Sequence, residues 1–219
     1  MTTLIESAKS IQQFEAGSLR DRLSNLEKVF ETTDKQTSQT LVSTQNITAS
    51  LLESAFVLKE VAGQINVIVH AVGILIALPH ILKEGERVES LSLGAGNTGK
   101  AFDLETNWRV AEFKFIRWRG GSEAIRQNSI FKDFYGLAEA ETTKERYLYV
   151  AGLTYPLKFF TGGRAFHSVM SRNNKLWSGF QERYGDRFTK VREYYEYRKS
   201  LVQIVDILEV VPELAELFK

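Results

Sequence analysis

Glu112 and Lys114 lie two residues apart in a strand-like run, so an acid and a base project from one face while Phe113 and Phe115 project from the other. Asp103 belongs to the run before it, with eight residues between it and Glu112. A short turn through Asn107 and Trp108 then sets the two carboxylates side by side across an antiparallel pair. Two carboxylates and a nearby backbone carbonyl are ligands that Mg²⁺ accepts, with waters and a substrate phosphate in its other positions. A lysine beside such an ion would position, and help to activate, a water. The structural alternative is a cross-strand salt bridge between Lys114 and one of the acids. Val110, Ala111, Phe113, Phe115 and Ile116 make this strand apolar and central, where unpaired charge is costly, and that context favours chemistry.

The elements around these residues can be read by period. Strand-like alternation covers Arg87 to Leu93, Lys100 to Glu105 and Arg109 to Trp118, three strands joined by short turns into a meander. Before it, a helical pattern runs from Thr48 to Pro79 or Leu82; after it, a helix is expected from Ser122 to about Ala140 and a fourth strand from Arg146 to Leu153. Past Pro156 come a Gly162-Gly163 turn, a short helix near Arg164 to Arg172 and an aromatic, basic helix from about Gly185 to Ser200. Leu201 to Val211 reads equally as strand or helix. Residues 1–45 form a polar helical extension, with helices at Leu4 to Phe14 and Gly17 to Glu31 and a Thr/Ser/Gln-rich loop from Thr32 to Thr44. The remainder, 46–219, is expected to be one α/β domain, its core at about 50–153 and a basic, aromatic part from 154 on.

In order and in motif the chain resembles the PD-(D/E)xK nuclease superfamily, the restriction-endonuclease-like fold. Ala101-Phe102-Asp103-Leu104 followed by Val110-Ala111-Glu112-Phe113-Lys114-Phe115 is similar to its active-site signature, with Phe102 where the motif's proline would stand. Helix, three-strand meander, helix, strand is also the order of that fold's core, so the resemblance covers roughly Ser50 to Leu153. It implies that Asp103 and Glu112 ligate Mg²⁺, or Mn²⁺ in its place, with help from the Phe113 carbonyl. Lys114 would align or deprotonate the attacking water, and the product would be a cleaved phosphodiester. Some members carry a glutamine on the following helix with an aromatic four residues later, which implies a substrate or water contact for Gln127, here followed by Phe131. Members also place an acid or histidine on the first core helix. Glu53 and Glu60 share one face of it and Asn66 and His70 another, which leaves Glu60 and His70 as candidates to complete the metal site.

Charge is uneven along the chain. Residues 1–99 carry a net −3, residues 100–199 a net +7 and residues 200–219 a net −3, so the overall +1 conceals a basic second half. Arg117, Arg119, Arg126, Lys158, Arg164, Arg172 and Lys175 are the candidate phosphate contacts of a nucleic-acid surface, DNA being the expected polyanion. Two cuts in a duplex would favour a homodimer. The alternative reading is a non-catalytic nucleic-acid-binding or interaction module on the same fold.

Gly94, Gly96 and Gly99-Lys100 fit a dinucleotide pattern and most of a P-loop, but Ala101 stands where a metal-binding hydroxyl is needed and a strand follows in place of a helix. A glycine-rich turn explains them better. With 43% hydrophobic and 25% charged residues among 219, disordered and collagenous chains are excluded, and the absence of cysteine excludes thiol nucleophiles, disulfides and Cys-zinc sites. No basic, apolar leader opens the chain, so a cytoplasmic address is expected. The 22 uncharged residues from 61 to 82 are long enough for a span of about 20 residues. Gln64, Asn66, His70, Pro79 and His80 argue instead for a helix buried on the sheet, with no membrane partner.

Overall fold

Thr3 starts the first helix with a capping box: its hydroxyl accepts from Glu6 N at 3.2 Å while Glu6 Oε2 accepts from Thr3 N at 2.7 Å. The computed structural model describes residues 3–31, 33–94, 99–118, 123–171 and 173–218. Its contacts divide the chain into two units, Met1–Asn66 and Val67–Lys219.

The first unit holds α1 (Leu4–Glu15), α2 (Leu19–Phe30), α3 (Lys35–Thr44) and the first part of α4 (Ala49–Ile81). The segment expected to be a loop is thus mostly α3. Asp34 Oδ1 caps it by accepting from Thr37 N at 2.8 Å, which favours a helix start there, and the Thr40 hydroxyl is satisfied by donating to Gln36 O.

The second unit continues with β1 (Val88–Leu91), β2 (Leu104–Thr106), β3 (Arg109–Lys114), α5 (Ala124–Ala138) and β4 (Glu145–Val150). Then follow α6 (Thr154–Phe160), α7 (Phe166–Met170), α8 (Asn174–Tyr184), α9 (Val191–Arg198), β5 (Gln203–Asp206), α10 (Ile207–Val210) and α11 (Pro212–Ala215). The segment that periodicity left open is therefore a strand that turns directly into a helix, where Asp206 Oδ1 accepts from Leu208 N at 3.0 Å. One five-stranded mixed sheet has the order β1-β2-β3-β4-β5, antiparallel up to β3 and parallel from β3 to β5. The parallel pairs require crossovers, which α5 and then α6 to α9 supply.

Each face of the sheet has its own apolar layer. Val110, Leu148 and Val150 pack with Ile130, Phe131 and Phe134 of α5 and with the aromatic rings of α6 to α9. Leu104, Ala111, Phe113, Tyr147 and Tyr149 pack on the other side with Ile74, Ala77 and Ile81 of α4 and with Ile207, Val211 and Leu214. At the start of β3, Arg109 is buried and its Nε and Nη2 each donate to Glu86 at 2.6 Å, while its Nη1 donates to Tyr149 Oη at 2.8 Å. Burial of the aromatic, basic C-terminal part is centred on Glu139, which accepts from Tyr194 Oη at 2.6 Å, from Arg198 Nε at 3.0 Å and from Arg183.

The expectation that the long apolar helix is buried needs correction. Among the described residues α4 is the one helix long and apolar enough to cross a membrane, yet only 17% of its most apolar window is buried. Apart from Ser54 near its start, the buried residues of α4 lie in its last turns, where Gly73, Ile74, Ala77 and Ile81 face the sheet.

Candidate functional site

Strand pairing brings the acids together. Leu104 pairs with Ala111 and Glu105 with Val110, so the same register extended by one residue sets Asp103 opposite Glu112. The two carboxyl groups are close enough to perturb one another's titration, and Phe113 N donates to Asp103 Oδ2 at 2.9 Å. The other Asp103 oxygen, Oδ1, lies 3.2 Å from Nε2 of His70 on α4. Gly73, one turn further along α4, permits this approach, since a Cβ there would stand 2.6 Å from the Phe115 ring.

Burial alone would push Asp103 up, but His70, the Phe113 N–H and Glu112 outweigh it and hold the carboxyl below the ordinary range. With Asp103 ionised, His70 Nε2 must carry the proton of their hydrogen bond. Glu112 goes the other way. Burial, then the negative charges of Asp133 and Asp103, push it up to about 10, so at neutral pH it holds a proton. An ionised carboxylate beside a protonated carboxyl forms a donor set suited to a hard cation, which would displace the Glu112 proton.

Lys114 does not bridge to the strand acids as expected of a cross-strand pair. Its Nζ lies 2.6 Å from Oδ2 of Asp133 on α5, both side chains largely buried. Burial pulls Lys114 down, but Asp133, Glu112 and Asp103 outweigh it and hold the ammonium above the ordinary lysine range. Asp133 was not singled out from sequence, although its spacing was informative. It follows Ile130 by three and precedes Leu137 by four, which places a carboxylate on the buried stripe of an amphipathic helix.

Among the described residues no three His, Asp and Glu side chains form a ready metal cage. His70 is turned to Asp103 and Asp133 to Lys114, and Asp103 itself accepts from His70 and from Phe113 N, so an ion shared by Asp103 and Glu112 would use the remaining lone pairs of these carboxyls. Glu60 is exposed and belongs to the first unit, and Asp103 and Glu112 belong to the second.

The candidate polyanion contacts disperse. Gln127 on α5 joins Lys158 and Arg164 in lining a cavity of about 340 Å³ with Trp118 and Tyr155, and Asp103, Glu112 and Lys114 are not in its wall. Gln127 Oε1 is buried there with no partner among the described residues. Arg117 lies over the Phe218 ring at 6.0 Å beside a neighbouring cavity of about 200 Å³. Arg126 is ion-paired with Glu123. Arg119 and Arg172 lie outside the described residues, as does the Lys175 side chain.

Of the glycine loop, residues 95–98 lie outside the description. Gly94 and Gly99 have φ of +81° and +70°, the left-handed region that favours glycine, and β2 follows with no helix to receive a phosphate. No family model, no curated protein and no solved structure matches this chain.

Proposed function

We propose that this chain is a divalent-metal-dependent nuclease that hydrolyses phosphodiester bonds, with DNA as its substrate, on a restriction-endonuclease-like core. The observation that carries the reading is the approach of Asp103, just before β2, to β3 through the hydrogen bond from Phe113 N, with Glu112 and Lys114 flanking Phe113 on that strand. Three carboxyl groups, Asp103, Glu112 and Asp133, surround one lysine in a largely buried setting, a charge balance that one added cation improves. The element order, three-strand meander, helix and parallel strand, is consistent with that core.

Mg²⁺ or Mn²⁺ would be held by Asp103, Glu112 and the Phe113 carbonyl, and would supply Lewis-acid stabilisation of charge on the phosphate. The protein's own residues have separable tasks. His70 and the Phe113 N–H fix both oxygens of Asp103, so its orientation is set before any substrate arrives. Lys114, protonated and restrained by Asp133, is suited to align a water by donating hydrogen bonds, which favours alignment over proton abstraction. In-line attack of that water on phosphorus would break the bond to the leaving oxygen.

A second reading, a non-catalytic nucleic-acid-binding module, is favoured by one observation: both Asp103 oxygens already have protein partners. Supercoiled plasmid with Mg²⁺ or Mn²⁺, run beside Asp103→Asn, separates the two. Nicking by the wild type alone supports the nuclease. Retention of plasmid without cutting, unchanged by the metal or by the substitution, overturns it in favour of the binding module.

A further inference from the structure

The cavity of about 340 Å³ beside α6 is lined by two residues that each hold a buried polar atom without a partner among the described residues. Gln127 Oε1 is an acceptor and Arg164 Nε is a donor. A buried donor or acceptor left unpaired costs free energy, and a water could meet either atom alone. Water does not answer the charge. Among the described residues no Asp or Glu lines this cavity, and neither Lys158 nor Arg164 has a carboxylate partner.

Local geometry builds the wall. Tyr155, Lys158 and Phe159 share one face of α6 at spacings of three and four. Gly162 follows the helix so closely that a Cβ there would stand 2.9 Å from Lys158 O, and glycine lets the chain fold back against α6. The returning chain carries Arg164, whose backbone is held where Val191 N donates to Arg164 O at 3.0 Å. Trp118 stacks on Tyr155 with ring centroids 6.4 Å apart and planes 23° from parallel, and it meets Phe159 of the core layer at 6.5 Å. Both rings and the Arg164 backbone are therefore in place before any ligand arrives.

We infer that this cavity binds one unpaired nucleotide, its phosphate on Lys158 and Arg164, its base against the Trp118 and Tyr155 rings, and a base N–H on Gln127 Oε1. Each part of the wall selects one part of that ligand. Cations without a carboxylate take phosphate, and the rings offer a stacking surface, Tyr155 being 36% exposed. The unpaired acceptor takes an amino N–H, which adenine, cytosine and guanine carry. A phosphotyrosine side chain brings a ring and a phosphate but no donor on the ring, since its phenol oxygen is esterified, and it would leave Gln127 Oε1 unpaired. The volume is at the small end for a small-molecule site, suited to one nucleotide and too small for a duplex. A free nucleoside monophosphate and an unpaired nucleotide of a strand offer the same chemistry. Asp103, Glu112 and Lys114 do not line the cavity, so the binding does not depend on the nuclease reading.

Isothermal titration calorimetry of the full chain in chelator, which keeps cations from the strand acids, tests the site with deoxyadenosine monophosphate, deoxyadenosine and inorganic phosphate. The expected result is one nucleotide bound per chain, with each fragment at least about tenfold weaker. Lys158→Ala, at an exposed position, should weaken the nucleotide and inorganic phosphate alike, each about tenfold. Gln127→Leu should weaken the nucleotide about fivefold and leave inorganic phosphate unchanged, a split that a misfolded variant would not show. No detectable binding of the nucleotide overturns the proposal, as does equal affinity for the nucleotide and inorganic phosphate, the mark of a plain anion site. Tighter binding of O-phosphotyrosine than of the nucleotide overturns it in favour of a phosphopeptide. Competition names the source: a short labelled oligodeoxyadenylate that the nucleotide displaces assigns the site to a strand, and one that it does not displace assigns it to the free nucleotide. Plasmid nicking is read separately, so either reading can fail while the other stands.

Discussion

Lys114 Nζ and Asp133 Oδ2 stand 2.6 Å apart, an ion pair that ties the last residue of β3 to the third turn of α5. It gives the lysine a structural partner as well as a chemical position. Replacing Lys114 by Ala therefore leaves a buried carboxylate without its counter-charge, and should lower stability by about 3 kcal/mol. Adding Asp133→Asn should recover much of that loss, because the stranded charge is then gone. Denaturant midpoints for the two single variants and the double would show the coupling, and strict additivity would refute it. Activity lost in Lys114→Ala is informative about chemistry only beside the double variant.

Glu112 predicts an unusual pH dependence for the protein in chelator. Its folded pKa, pushed up to about 10 by burial and by Asp133 and Asp103, lies far above its ordinary value of 4.5. Between these values the folded state binds more protons at this group than the unfolded state does. The contribution of Glu112 to stability therefore falls as pH rises through this window. Glu112→Gln should flatten that slope and leave the chain at least as stable at neutral pH. If the site takes a cation, the thermal shift caused by Mg²⁺ should grow with pH in the wild type, since binding releases the proton, and should vanish in Asp103→Asn. Melting curves across pH, with chelator and with Mg²⁺, read both effects.

The Glu86 and Arg109 pair behaves in the opposite sense. Burial raises Glu86, but the Arg109 hydrogen bonds, with Lys83 N and Thr106, outweigh it and hold the carboxyl below its ordinary value. Its contribution is present above the unfolded pKa near 4.5 and is lost as pH falls through the lower folded value. At neutral pH Glu86→Gln strands Arg109, whose side chain is only 3% exposed, and should cost about 3 to 5 kcal/mol. Acid unfolding of that variant should start from this lower stability and show a weaker dependence below pH 4.5. An unchanged acid limb would rule out Glu86 as a contributor.

The meander, α5 and β4 were legible because their periods and turns agree with their environment: half-buried strands alternate, and Asn107 and Trp108 close a short turn. The register that sets Asp103 opposite Glu112 was legible for the same reason, since a two-residue period fixes which side chains share a face. What sequence did not show was which charges pair. Lys114 could have met either strand acid, and Asp133 prevailed because α5 lies over that face of β3. Helices α6 and α8 were missed because short aromatic segments with charges between them lack a clean 3.6-residue period. The exposure of α4 was missed for a different reason: an apolar helix reads as buried on every face, and periodicity does not show which of its faces the fold leaves open.

The basic second half makes a final prediction about which charges face a polyanion. Arg183 and Arg198 are both committed to Glu139, a largely buried carboxylate that also accepts from Tyr184 and Tyr194, so their charges are answered within the fold. Lys158 and Arg164 have no such carboxylate partner among the described residues, and they share a cavity with Gln127 and Trp118, where a phosphate and a base edge could both be met. If the proposed nucleic-acid substrate binds there, each of Lys158→Ala and Arg164→Ala should reduce the slope of log Kd against log salt by about 1. Arg183→Ala should leave that slope unchanged and lower stability by up to about 1 kcal/mol, since the Arg183 side chain is half exposed to solvent. Fluorescence anisotropy with a labelled duplex and a labelled single strand measures the slopes. Equal loss of slope in all three variants would mean that the basic surface acts as a diffuse field with no local site.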